Sequence, residues 1–93
     1  MTGFSVLMSL YIKESPIFLN DCLNSLYAQT VQADEIVIVL DGPINQSLRN
    51  VLDKWHLKLP IKLVPLPENV GLGEALNYGL GKCSFPLIAR MDT

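Results

Sequence analysis

The sequence predicts an α/β fold, a Rossmann-like parallel sheet built in the order β-α-β-α-β-α-β. Three observations predict it. Four short apolar runs have the length of strands and little polar interruption. The three segments between them repeat their apolar residues at helical spacing. Strand and helix alternate along all 93 residues, with no repeat, linker or low-complexity stretch. Alternation of this kind calls for a parallel sheet with helices on its faces, and right-handed crossovers leave few layouts for it.

The first run, Phe4-Ser5-Val6-Leu7-Met8-Ser9-Leu10-Tyr11, reads as a strand covered on both faces. Ser15-Pro16 opens a helix, serine as N-cap and proline at the first helical position, and Leu19, Cys22, Leu23, Leu26 and Tyr27 form its apolar face. Ile36-Val37-Ile38-Val39-Leu40 is the strongest strand signal, and Asp41-Gly42-Pro43 breaks it. A second helix from about Gln46 to Leu57 carries Leu48, Val51, Leu52 and Trp55 on one side. Ile61 to Val64 is the third strand, followed by a loop that is rich in turn residues and ends in Glu68-Asn69-Val70-Gly71. The third helix, Leu72 to about Lys82, is read with Leu72, Ala75, Leu76, Leu80 and Cys83 inward, and Phe85 to Met91 is the fourth strand.

Composition narrows the class. At this size a domain buries roughly 60–65% of its surface. With 49% hydrophobic and 17% charged residues the chain is too apolar for disorder, and rich enough to suggest a core meant to be covered by additional protein. A net charge of −2 without a basic run argues against nucleic acid as a partner. Cys22 and Cys83 lie far apart and form no metal-ligand spacing, which suits buried free thiols. No run approaches the ~20 apolar residues of a membrane span, and the first residues do not read as a signal peptide. The expectation is a cytoplasmic protein, with membrane attachment at the surface left open.

In a half sheet of this type the ligand sits beyond the carboxyl ends of the strands, where strand order reverses. The residues placed there are Ser9, Tyr11, Lys13 and Glu14 after strand one, Asp41 after strand two, Asn69-Val70-Gly71 after strand three and Asp92 after strand four. Each has a purely structural alternative. Asp41 before Gly-Pro is a good turn former, Glu14 suits the first turn of a helix, Tyr11 could cap the core, Gly71 could relieve the backbone, and Asp92 could be a surface residue near a terminus. Their common placement on one rim is the stronger observation. Nucleotide binding fits it: a carboxylate accepts from a base N–H or a ribose hydroxyl, a tyrosine ring stacks on a base, and rim carboxylates attract a hard divalent cation. A dehydrogenase fits poorly, since Gly71-Leu72-Gly73 follows strand three and position 76 is leucine. No phosphate-binding Walker loop is present, and strand one lacks the acidic pair of a receiver domain.

FSVLMSLYIKESPIFLNDCLNSLYAQT, DEIVIVLDGP, ENVGLGEALNYGL and ARMDT, in that order, closely resemble the N-terminal half of family 2 glycosyltransferases, above all bacterial members that assemble exopolysaccharide and lipopolysaccharide. The resemblance covers the whole chain. It implies the nucleotide-sugar-binding part of a GT-A fold over residues 1–93, in a parent that transfers a sugar, most simply from a UDP-sugar, to a saccharide or lipid-linked acceptor. It carries Ser9, Tyr11 and Glu14 over to the loop at the nucleobase and Asp41 to the base itself. Asn69, Gly71, Ala75 and Asn77 fall on the helix beside the nucleoside. Where the family often has a second acidic residue next to Asp41, this chain has Gly42. Asp92 resembles the first aspartate of an Asp-x-Asp motif, the site of manganese or magnesium in such enzymes. The chain is thus expected to stop inside its metal site, to bind no metal tightly by itself and to be inactive alone, with the catalytic base beyond Thr93. Strand four, left at an edge, is expected to drive self-association through Phe85, Leu87, Ile88 and Met91. Two other classes stay open: a nucleotide-binding or interaction module without catalysis, and a nucleotidyltransferase-like domain, against which the absence of a basic glycine-rich loop after strand one speaks.

Overall fold

Four parallel strands lie in the order β3-β2-β1-β4. The computed structural model describes residues 3–91. Its elements are β1 (Phe4–Leu10), α1 (Pro16–Tyr27), β2 (Glu35–Leu40), α2 (Gln46–His56), β3 (Ile61–Pro65), α3 (Leu72–Leu80) and β4 (Leu87–Arg90). The predicted alternation is present in full, and β1 pairs with both β2 and β4. Strand order therefore reverses between β1 and β4, and that reversal opens the crevice used by ligands in such sheets.

The sheet has two buried faces because side chains alternate along each strand. Val6, Met8 and Leu10 of β1, with Ile36, Ile38 and Leu40 of β2, share a cluster with Leu19, Leu23 and Leu26 of α1 and Leu48, Leu52 and Trp55 of α2. The residues between them, Leu7, Val37 and Val39, pack with Val64 and with Ala75 and Leu76 of α3. So α1 and α2 cover one face and α3 covers the other, the doubly wound arrangement. Local signals set the helix starts as read: the Ser15 hydroxyl accepts the Phe18 N–H at 3.3 Å, with Pro16 as the first helical residue, and the Asn45 side chain accepts the Leu48 N–H at 2.9 Å.

Three readings of the sequence are corrected. Leu72 and Leu80 do not face inward: α3 turns Ala75, Leu76 and Gly79 to the sheet, and both leucines are exposed. The reason is steric, since the helix lies so close at Gly79 that a Cβ there would run into Leu7 and Val39, and only a stripe of small residues permits that approach. Tyr27 stays half-exposed at the end of α1, its ring 5.6 Å from that of Trp55. The fourth strand is shorter than read, four residues rather than seven, because Pro86 has no N–H for the ladder.

At the opposite end of the sheet from the crevice, Glu35 ties three segments together. Its carboxylate accepts the Ser5 hydroxyl at 2.8 Å and the Ser84 backbone N–H. Partial burial favours the neutral acid, but these hydrogen bonds and the charge of Lys62 outweigh it and hold the carboxyl below its ordinary value. Burial, reinforced by the Glu14 charge, pushes the Cys22 thiol up. Burial, followed by the Glu35 charge, does the same to Cys83. Neither is therefore a ready thiolate.

Candidate functional site

At the carboxyl ends of β1 and β4 a cleft of about 520 Å³ opens between the β1–α1 loop, the β3–α3 loop and the start of α3. Six of the residues singled out from the sequence line it: Ser9, Tyr11, Glu14, Asp41, Asn69 and Gly71. A second hollow of about 510 Å³ lies on the other side of Tyr11, Asp41 and Asn69, walled by Ile12, Lys13, Gly42 and Pro43. Tyr11, nearly half-exposed, thus stands between two concave surfaces with its ring available to both.

Asp41 organises the site. It is only 4% exposed, and its carboxylate accepts the Val70 N–H at 2.7 Å, the Gly71 N–H at 3.1 Å and the Asn69 side-chain amide at 3.1 Å. The same Asn69 amide reaches the Asp41 carbonyl at 3.3 Å. The end of β2 is thereby fastened to the loop that starts α3. Most of the carboxylate's acceptor capacity is spent within the chain. Asp41 serves the chain's own loop while it also lines the cleft. Its first task is to shape the loop.

Two glycines make this possible. Gly42 has φ +89°, and a Cβ there would stand 2.9 Å from the Asn69 nitrogen, so a second carboxylate beside Asp41 is excluded by the backbone. Gly71, φ +94°, caps α3 without any side-chain hydrogen bond.

Ala75 and Asn77 are not part of the cleft lining. Ala75 is fully buried beneath α3 against the sheet, and Asn77 is exposed. Asp92 lies outside the described residues. Four residues that the site reading left out do line the cleft: Leu72, Leu76, Arg90 and Met91. Arg90 had a usable signal, being the last residue of β4 beside the crevice. Leu72 had none, since helical spacing assigned it to the core.

Among the described residues no three or more His, Cys, Asp or Glu side chains gather where they could hold a metal ion. Glu14 and Asp41 are the cleft's carboxylates, and the Asp41 oxygens already face three N–H donors. This donor set does not fit a divalent cation, which takes several free oxygens. Among the same residues no helix is long and apolar enough to cross a membrane.

A doubly wound sheet with a polar cleft at its switch point defines a ligand-binding α/β protein. The family model for Glycosyl transferase family 2 matches residues 5–93, and the chain belongs to that family. It is 56% identical over 90 residues to the amylovoran biosynthesis glycosyltransferase AmsE of Erwinia amylovora, covering 97% of this chain and 34% of that protein. It is 48% identical over 90 residues to UDP-Gal:alpha-D-GlcNAc-diphosphoundecaprenol beta-1,3-galactosyltransferase of Escherichia coli, covering 97% and 33%. The chain thus spans about a third of the length of the curated relatives it matches. Among solved structures, S. aureus TarS 1-349 in complex with UDP-GlcNAc superposes with a TM-score of 0.83 at 29% identity, over 97% of this chain and 26% of that one. The mannosyltransferase PcManGT of Pyrobaculum calidifontis, in complex with GDP-Man and Mn2+, shares the fold with a TM-score of 0.81 at 24% identity, over 98% and 27%.

Proposed function

We propose that residues 1–93 form the nucleotide-sugar-binding portion of a glycosyltransferase whose whole protein moves a sugar from a UDP-sugar to a saccharide or lipid-linked acceptor in bacterial polysaccharide assembly. The observation that carries the reading is the cleft at the β1/β4 switch point, with Ser9, Tyr11, Glu14, Asp41, Asn69 and Gly71 on its walls. Tyr11 supplies an aromatic face for the base. Ser9 and Asn69 supply hydroxyl and amide groups for base or ribose, and Asp41 holds Asn69 and Gly71 in place. Family membership and the UDP-GlcNAc complex of TarS support a uridine donor, and the lipid-diphosphate acceptor in the name of the Escherichia coli relative supports a lipid-linked acceptor and work at the cytoplasmic membrane surface. Manganese or magnesium belongs in this proposal for the whole protein only, as a counter-charge to the leaving diphosphate. Calorimetric titration with UDP tests the reading. Saturable binding that ATP does not match supports it, and the absence of heat at millimolar UDP contradicts it.

A second reading, self-association, is favoured by a separate observation. β4 has one neighbour in the sheet, all four of its residues are exposed, and Leu87 and Ile88 are 59% and 38% exposed. An edge of this kind pairs readily with another chain.

A further inference from the structure

We infer that Arg90 is the anchor for the phosphate groups of a nucleotide diphosphate bound in the cleft; the inference rests on the nucleotide reading of that same cleft. Three charged side chains line it, Glu14, Asp41 and Arg90. The two carboxylates are engaged by the chain's own donors. Asp41 accepts from Asn69, Val70 and Gly71, and Glu14 accepts the Ser15 N–H at 3.2 Å. Arg90 differs: among the described residues its guanidinium has no hydrogen-bond or ion-pair partner, although it stands on the wall of a cavity.

Its placement follows from the sheet. Arg90 ends β4 and is paired in register with Leu7 of β1, so it projects on the face that α3 covers, the same face as Ser9 two residues further along β1. The Met91 N–H donates to the Leu7 carbonyl at 2.9 Å and holds the backbone beyond Arg90 against β1. The fork of donors therefore starts from a fixed strand end, across the switch crevice from Gly71 and Leu72. Leu72 and Leu76 add an apolar stretch to the lining, and no lysine or second arginine is among the residues that line the cleft. A guanidinium suits this position because its planar donors engage phosphate oxygens two at a time. The nucleoside would then lie toward Tyr11 and Asn69 and its diphosphate toward Arg90.

The test compares UDP with uridine on the chain and on Arg90→Gln and Arg90→Lys. Wild type should bind UDP more tightly than uridine by about tenfold or more, a preference that shrinks as salt is raised. Arg90→Gln should bring the ratio close to one while uridine affinity stays as it was, and Arg90→Lys should keep part of it. Arg90 is exposed, so both variants should fold; amide spectra matching wild type verify this. An unchanged UDP-to-uridine ratio in Arg90→Gln overturns the anchor and leaves the nucleotide reading standing. Binding of neither ligand by wild type overturns both.

Discussion

Asp41 and Val70 are joined by a 2.7 Å hydrogen bond from the backbone N–H of one to the buried carboxylate of the other, across 29 positions of sequence. This contact and its neighbours at Gly71 and Asn69 make the rim of the cleft a fixed surface rather than a loose loop. Asp41→Ala should cost about 2 kcal/mol of stability, since hydrogen bonds to a charged acceptor are lost and the donors are left partly buried. UDP affinity should fall roughly tenfold to hundredfold. Urea unfolding and amide exchange check the order of events: the Val70 and Gly71 amides should exchange fast in the variant. Unchanged protection of those amides would mean that Asp41 does not hold the loop.

The two sides of α3 should answer differently to the same substitution. A methyl at Gly79 meets Leu7 and Val39, whereas one at Gly73 meets nothing within 4 Å. Gly79→Ala should destabilise by about 1–3 kcal/mol through overpacking. Gly73→Ala should stabilise by about 0.4–1 kcal/mol through the unfolded chain. Thermal unfolding of the pair should shift the midpoint in opposite directions.

Glu35 should give the fold an acid-sensitive contribution. Its carboxyl is held low in the folded chain, so the unfolded chain takes up its proton first as pH falls. The stabilisation is therefore complete above the ordinary glutamate value of about 4.3 and disappears as pH drops through the lower folded value. Glu35→Gln should cost about 1 kcal/mol at neutral pH, and the gap from wild type should close in acid. Denaturation at pH 7 and again near pH 3 measures both ends. A gap that persists in acid would assign the effect to packing.

How far the sequence went depends on the kind of signal each residue carried. Alternation and handedness left only a few layouts, and all of them gather the strand ends on one rim, so the placement of Ser9, Tyr11, Asp41 and Asn69 was legible in the sequence, whereas the order β3-β2-β1-β4 was not fixed by it. The roll of α3 was not. Leu72 and Leu80 satisfy a helical apolar pattern as well as Ala75 and Leu76 do, and only the approach of Gly79 to Leu7 decides between the two faces. The spending of the Asp41 carboxylate was equally hidden, because its donors are backbone N–H groups, which no sequence pattern marks.

The exposed β4 edge gives a further expectation. The chain should associate at micromolar concentration through Leu87 and Ile88, and Ile88→Lys should shift it to monomer, since a charge on an edge strand opposes pairing. Sedimentation velocity decides. A wild-type chain that stays monomeric at every concentration would rule the edge out as an interface.

The cleft at the β1/β4 switch point should hold a uridine nucleotide. Titration of the isotopically labelled chain with UDP, followed through its backbone amides, tests it most directly. Saturable shifts are expected at Ser9, Tyr11, Asn69, Gly71 and Arg90, with the amides of α2 unmoved. Shifts confined to other surfaces, or no shift at millimolar UDP, would contradict it.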